Sequence, residues 1–308
     1  MSTELTTLAQ AQDFTAVVDM AVNAMDSIHT QRAYRRALTN FMSWYAEHGR
    51  GAFTRAAVNA YKQHLKDTGA GGLNQRLSAI RKLAKEAEAN GLIDANTARG
   101  IVDVEGIQQR GTRAGNWLTK DEAEQLINAP DDTTLKCKRD RALLAVLVGA
   151  GLRREECVNL KASHVQQRDG RWVIVDITGK RNKLRTVPIA SWVQVLIERW
   201  KQAAGITAGY LFPELTRWRG VGREQTSTQA IMRAVVLYAE EIGKPNIRPH
   251  DLRRTYAKLA RKGGAQLEQI KFTLGHDSVA TTEKYVGDEL DYQNAPADAM
   301  GLSVRLRA

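Results

Sequence analysis

The 308-residue sequence predicts a mainly α-helical protein of two domains, the second a mixed α/β domain, mostly helical with a small antiparallel sheet. Three observations predict this. Apolar residues recur at intervals of three and four through residues 13–102 and again beyond 117, the spacing of one buried helical face. Residues 103–116, D-V-E-G-I-Q-Q-R-G-T-R-A-G-N, hold three glycines and little apolar content, which reads as an interdomain linker. Finally, R-W-V-I-V-D-I-T and R-T-V-P-I are rich in β-branched residues and flank a G-K-R-N-K turn, the pattern of a hairpin.

In the first region, residues 1–12 have weak patterning and form a flexible lead, and Ala16 to Met25 is small and apolar enough for a helix. A helix beginning near Ser27 or Thr30, either of which can cap it, carries Tyr34, Leu38, Phe41, Met42 and Tyr45 as its buried stripe. After Gly49 and Gly51 a helix with Val58, Tyr61 and Leu65 runs to a break at Gly69-Ala70-Gly71-Gly72. The next buries Leu77, Ile80, Leu83, Ala84 and Ala87. Arg32, Arg35 and Arg36 flank the first stripe, and Arg76, Arg81, Lys82 and Lys85 flank the last. From such positions cations reach the phosphates of a nucleic acid groove, although solvated lysines on a helix bundle look the same.

In the second region, W-L-T-K-D-E places Thr119 as a helix cap with Glu122 completing a capping box. R-D-R-A-L-L-A-V-L-V-G-A is apolar on every side and belongs in a core. A helix with Trp192, Val195, Leu196 and Trp200 follows the hairpin, then T-R-W-R-G-V-G-R as a basic, glycine-broken loop suited to touching DNA, then S-T-Q-A-I-M-R-A-V-V-L-Y-A as another amphipathic helix.

Forty-five Lys and Arg against 34 Asp and Glu leave a net charge of +11, which points to a polyanionic partner, nucleic acid first. Cys137 and Cys157 are too few for a disulfide framework and lack metal-ligand spacing, which suits a reduced, cytoplasmic setting. There is no leader pattern and no apolar run of membrane-spanning length.

The densest chemistry lies between Arg248 and Tyr285. Pro249 suits the first turn of a helix on which His250, Arg253 and Arg254 share a face at i, i+3 and i+4. Gly263-Gly264 ends it. A short helix striped by Leu267, Ile270 and Leu274 stops at Gly275, which leaves His276 on a turn outside the core. Ser278 or Thr281 can cap a third helix carrying Tyr285.

The run H-D-L-R-R-T-Y-A (His250–Ala257), then L-G-H (Leu274–His276), then a tyrosine nine residues later, resembles the C-terminal motifs of the tyrosine recombinase (phage integrase) family. G-L-R-R-E-E-C resembles that family's G-L-R-x-x-E-L, with Arg153 and Glu156 in the matching places and bulkier residues, Arg154 and Glu155, between them. Alone, Arg-x-x-Glu would be an ordinary helical salt bridge. The hairpin resembles the family's G-K-x-x-K-x-R-x-V-P, in which Lys180 matches the lysine that reaches the scissile bond and Lys183 is the substitute. More loosely, Ser27 to Thr30 and Gly91 to Ile93 resemble landmarks of the family's helical core-binding domain, with Asn96-Thr97 where many members have Asn-Pro.

The resemblance implies a core-binding domain over 13–102 and a catalytic domain over 117–285, together a clamp on DNA, with a tail over 286–308 that docks on a neighbouring protomer or folds on its own domain. It is to short two-domain members, Xer-like or simple phage and plasmid recombinases, with no arm-binding domain ahead. It implies cleavage and rejoining of a specific double-stranded DNA site through a 3′-phosphotyrosine link, by a homotetramer or a heterotetramer with a related recombinase, without metal, cofactor or ATP. Arg153, Lys180, His250, Arg253, His276 and Tyr285 are then the catalytic set, and Glu156 orients the arginines. The chemistry is coherent. Two guanidiniums can fork onto the phosphate oxygens, where a preorganised contact is worth about 3–4 kcal/mol in the transition state. A tyrosine hydroxyl, with an ordinary pKa near 10, needs the base that His250 supplies, and Lys180 can protonate the leaving 5′-oxygen. Type IB topoisomerase chemistry, or a noncatalytic DNA-binding protein of the same fold, are the alternatives.

Overall fold

The computed structural model describes residues 14–25, 28–48, 52–107, 116–179, 183–216 and 220–286. The chain divides into two compact units, Met1–Thr112 and Arg113–Ala308.

The first unit is helical: α1 (Phe14–Asn23), α2 (Ile28–His48), α3 (Arg55–His64), α4 (Ala70–Ala89) and α5 (Ala95–Val102). Its core takes Leu38, Phe41, Met42 and Tyr45 from α2, Val58 and Tyr61 from α3, and Leu73, Leu77, Ile80 and Leu83 from α4. Phe41 meets Tyr61 edge-on with ring centroids 5.0 Å apart, a favoured aromatic arrangement. Two sequence expectations are corrected. Thr30 lies inside α2 and so does not cap it, while Ser27 falls outside the described residues. The break at 69–72 is a helix start: Gly69 is the N-cap, and Gly71 and Gly72 lie in the first turn of α4, where backbone N–H groups need no partner within the helix. The helix α5 begins at Asp94, whose carboxylate accepts from the amides of Asn96 and Thr97, so the chain turns there without a proline.

The second unit contains α6 (Lys120–Asn128), α7 (Leu135–Gly149), α8 (Arg154–Val158), β1 (Val165–Arg168), β2 (Arg171–Thr178), β3 (Leu184–Pro188), α9 (Ser191–Ala204), β4 (Pro213–Leu215), β5 (Val221–Gln225), α10 (Thr228–Glu241), α11 (Pro249–Lys262), α12 (Leu267–Leu274) and α13 (Val279–Val286). Helix α7 is buried from Ala142 through Val148, a run that is apolar on every side because it passes through the core, while its first turn carries exposed Lys136. Around it pack Val193, Ile197 and Trp200 of α9, Ile174, Ile177 and Val187 of the sheet, and Ile231 and Val235 of α10. The capping box of Thr119 and Glu122 forms as read.

The sheet is antiparallel in the order β1-β2-β3, one strand more than the hairpin read from sequence. Asp169 and Gly170, both at positive φ, make the two-residue turn that pairs Arg168 with Arg171. Between Ile174 and Ile177 the β2–β3 register slips, and Asp176 there also has positive φ, the mark of a bulge that re-aims the strand. One further correction concerns the segments after the sheet. Helix α9 forms where expected, buries Val193, Ile197 and Trp200 with Leu196 packed against them, and leaves Trp192 and Val195 exposed. The basic loop expected at 216–223 is partly strand: β4 and β5 pair across it, and residues 217–219 lie outside the described residues.

A small apolar cluster of Ala257, Ile270 and Leu274, with Tyr256, Tyr285 and Val286 against it, ties α11, α12 and α13 into one block. That block carries His250, Arg253, His276 and Tyr285.

Candidate active site

Two glycines at positive φ set the backbone. Gly151 (φ 61°) turns the chain at the end of α7 and delivers Arg153 to the start of α8, where Glu156 accepts from the Arg153 amide at 2.8 Å. Gly275 (φ 63°) stops α12 and delivers His276. Pro249 starts α11, and Asp251 accepts from the Arg248 amide at 3.0 Å.

From these starts the side chains converge. Glu156 is the hub: Oε1 accepts from Arg153 Nη1 at 2.7 Å and Arg185 Nη1 at 2.9 Å. Its Oε2 accepts from Arg185 Nη2 at 2.8 Å and lies 3.9 Å from Arg253 Nη1. Arg253 is only 1% exposed and donates to the carbonyls of Gly151, at 2.7 Å, and Leu274. The expected cationic face of α11 is therefore divided. Arg253 points into the core and His250 stays exposed, while Arg254 pairs with Asp251 and lies 5.5 Å over the Tyr285 ring.

The Tyr285 hydroxyl hydrogen-bonds His250 Nε2 at 2.7 Å. His276 packs against the same ring, with centroids 4.8 Å apart, and its Nδ1 pairs with Thr282 Oγ1 at 3.0 Å. The turn at His276 forms as read, but its burial does not: the imidazole is 9% exposed, because α13 folds back over it. Ser278, not Thr281, is the residue ahead of α13, accepting from the Thr281 amide.

Electrostatics follow from burial among cations. Although one edge of the ring is exposed, partial desolvation of His250, then the charges of Arg254 and Arg253, hold its pKa below the usual value, which favours a neutral imidazole able to accept a hydrogen bond from the phenol. Burial and the guanidiniums of Arg253, Arg153 and Arg185 push His276 down to about 4. Burial opposes ionisation of Glu156, yet the bonds and charge of Arg185 and then Arg153 outweigh it and hold the carboxyl at about 2. Desolvation, then the Arg153 charge, lowers Arg253 to about 10, still cationic at neutral pH. A cleft of about 290 Å³ opens beside this group, lined by Arg153, Arg154, Glu155, Arg248, His250 and Arg253 among others. Three arginines around one carboxylate leave two positive charges in excess, suited to a phosphodiester.

Of the sequence-predicted set, Arg153 and Arg253 gather on Glu156, His250 and His276 flank Tyr285, and the charges of Arg253 and Arg153 reach both histidines. Lys180 lies outside the described residues. Lys183 is engaged elsewhere, its Nζ 2.8 Å from Asp277. Arg185 was missed as a site residue. The signal for it was present: an arginine in the strand of a hairpin whose other face is apolar.

In the first unit, Arg32, Arg36 and Lys85 are exposed. Arg35 pairs with Asp19 and Lys82 with Glu86. Arg76 lies beside Tyr61, whose burial-raised pKa its charge partly offsets, and Arg81 donates to the Val104 carbonyl, so these two face the helix packing. Among the described residues no group of three His, Cys, Asp or Glu could hold a metal ion, and no helix is long and apolar enough to cross a membrane. Burial pushes the Cys157 thiol up, which leaves it unreactive.

Known proteins resemble this chain in sequence and fold. The chain is 27% identical over 280 residues to the tyrosine recombinase XerC of Pseudomonas putida, covering 88% of each chain. It is 28% identical over 289 residues to XerC of Xylella fastidiosa, covering 92% of this chain and 94% of that one. The solved structure of the XerH site-specific recombinase bound to a palindromic difH substrate, a post-cleavage complex, superposes with a TM-score of 0.71 at 17% identity, over 88% of this chain and 79% of that one, and so shares its fold. Residues 116–290 match the model of the phage integrase family, and with that match over more than half its length the chain belongs to the phage integrase family of tyrosine recombinases.

Proposed function

We propose that Tyr285 is the nucleophile with which this site-specific DNA recombinase cuts and rejoins strands. The observation that carries this reading is the 2.7 Å hydrogen bond from its hydroxyl to a neutral His250, beside a buried arginine cluster. His250 takes the phenol proton as the oxygen attacks phosphorus. Arg153 and Arg253 hold the non-bridging oxygens as charge builds on them, and His276, with one ring nitrogen occupied by Thr282, offers the other to the same centre. The product is a 3′-phosphotyrosine and a free 5′-hydroxyl. Lys180 protonates that leaving oxygen; the Lys183 ion pair with Asp277 favours Lys180 over Lys183 for this role. Glu156 stays off the substrate, orients the arginines and offsets their mutual repulsion. One ester replaces another, so rejoining needs no ATP.

The partner is double-stranded DNA. We place residues 13–102 on the DNA as a core-binding domain, with 103–116 as linker and 117–285 as the catalytic domain. The tail, 286–308, is the candidate protomer-to-protomer contact of a homotetramer on two sites, or of a heterotetramer with a related recombinase. XerH, crystallised on its difH substrate, is a precedent for a DNA-bound relative of this fold. A cytoplasmic setting suits both the substrate and the two free cysteines. The family match speaks for recombination over the topoisomerase and noncatalytic readings.

The test is trapping. Wild-type and Tyr285→Phe proteins are incubated with a labelled library of nicked duplexes and then denatured. A covalent adduct in the wild type that is absent from the Phe variant is expected, and sequencing the trapped DNA begins to define the site. An adduct that persists in Tyr285→Phe would sink the assignment.

A further inference from the structure

We propose that Arg185 is a positioning residue for DNA cleavage, acting through Glu156 to aim Arg153 and Arg253 at the scissile phosphate. This rests on the function proposed above. The geometry is specific. The Arg185 guanidinium places two parallel bonds on the two Glu156 oxygens, at 2.9 and 2.8 Å, the two-pronged arrangement that fixes a carboxylate in both distance and plane. Its Nε, the remaining edge of the fork, donates to the Thr273 carbonyl at 2.8 Å.

Those contacts join the elements of the site. Thr273 is in the last turn of α12, where carbonyls lack helical partners, and Arg253 takes the neighbouring Leu274 carbonyl. Two arginines thus cap the helix end from which His276 emerges, one reaching from β3 and one from α11. Packing there is close: a Cβ on Gly275 would stand 3.1 Å from the Arg185 Cδ. Arg185 is not among the residues lining the cleft beside Arg153, His250 and Arg253, and both its carboxylate prongs and its third edge are used, so it acts on substrate through Glu156 and not directly.

Without Arg185, Glu156 keeps one close guanidinium, that of Arg153, and its bond from the Arg153 amide. The carboxylate is then free to rotate, and Arg153 loses its fixed direction. The charged groups facing Glu156 are Arg153 from the start of α8, Arg185 from β3 and Arg253 from α11, with the neutral thiol of Cys157 next in the chain. Arg185 is the largest of the influences that keep the buried carboxyl ionised. Its removal lets burial raise that group toward the working range of the enzyme.

The experiment uses the full chain and a nicked duplex recovered by trapping with the wild-type protein. Adduct formation is followed from about pH 5 to about pH 9 for wild type, Arg185→Gln and Arg185→Lys, with DNA affinity and melting temperature measured alongside. The Gln variant is expected to form adduct at least about tenfold more slowly at neutral pH, with affinity within about twofold of wild type. It should also lose further rate toward acid with an inflection that the wild type lacks. Arg185→Lys, which keeps the cation without the fork, should recover part of the rate. A Gln variant with wild-type rate and profile overturns the inference, as does a loss of equal size at every pH in both variants, which is what a loosened fold would produce. Should the Gln variant melt, the Lys variant decides: an acid inflection supports the role and a wild-type profile overturns it. A wild-type protein that forms no adduct would overturn the proposed function, and with it this inference.

Discussion

The hydroxyl of Tyr285 and Nε2 of His250 stand 2.7 Å apart across 35 positions of sequence, one on α13 and one on the first turn of α11. The contact pairs the proposed nucleophile with its proposed base before any substrate arrives. His250→Asn is expected to slow adduct formation about 10²- to 10⁴-fold while DNA affinity changes little. Single-turnover trapping measures it, and a variant that cleaves at the wild-type rate would remove His250 from the mechanism.

Because the His250 pKa is lowered by burial and then by Arg254 and Arg253, the imidazole gains its proton only below the ordinary histidine value of about 6.5. The cleavage rate should therefore fall in acid with a midpoint below that value, as the base is lost. A midpoint at or above it would contradict a histidine base in this setting.

Folding stability should also decline in acid, in two stages. His276 has a folded pKa of about 4, well under its ordinary 6.5, so between those values the unfolded chain binds a proton that the folded chain refuses. Stability is lost as pH falls across that window, by up to about 1.4 kcal/mol per pH unit, and levels off for this group below about 4. Glu156, with a folded value of about 2 against an ordinary 4.5, contributes fully above 4.5 and is lost as pH falls toward 2. Urea unfolding at stepped pH reads both, and His276→Asn should flatten the upper stage.

Glu156→Gln leaves buried Arg253 and nearly buried Arg185 without their carboxylate. Breaking a buried pair from one side costs about 3–5 kcal/mol, so a lower urea midpoint is expected along with slower cleavage. Gly275→Ala should lose roughly 1–2 kcal/mol, because a side chain is strained at φ 63° and its Cβ would press on Arg185. A Gly275→Ala protein as stable as wild type would show that this turn relaxes freely.

In the first unit the seven basic residues should separate by behaviour. Substituting exposed Arg36 or Lys85 is expected to weaken DNA binding and lower the salt slope by about 1 each if they contact phosphate. Arg81, whose guanidinium serves the Val104 carbonyl, should instead lower stability when replaced. Binding titrations at several salt concentrations, paired with melting curves, distinguish the two.

Local features were legible because they depend on neighbours in the chain. The capping box at Thr119, the stop at Gly275 and the buried run of α7 follow from spacing and turn chemistry within a few residues. The Asp169-Gly170 turn was equally local, and β1 was missed only because the polar V-Q-Q-R strand shows almost no alternation. Which side of α9 is covered depends on what packs there: Trp192 and Val195 are apolar yet exposed.

By itself, then, the sequence determined the helices, the hairpin, the order of the Arg, His and Tyr motifs, and through them the family. The tertiary structure alone decided how those motifs act on one another. It buried His276 under α13, split the α11 cations into a core arginine and a surface histidine, and enrolled Arg185 through a carboxylate 29 residues away. The reason is physical. Helical period and turn preference are short-range, whereas desolvation and charge coupling depend on which groups the fold brings within a few ångströms, irrespective of their separation along the chain.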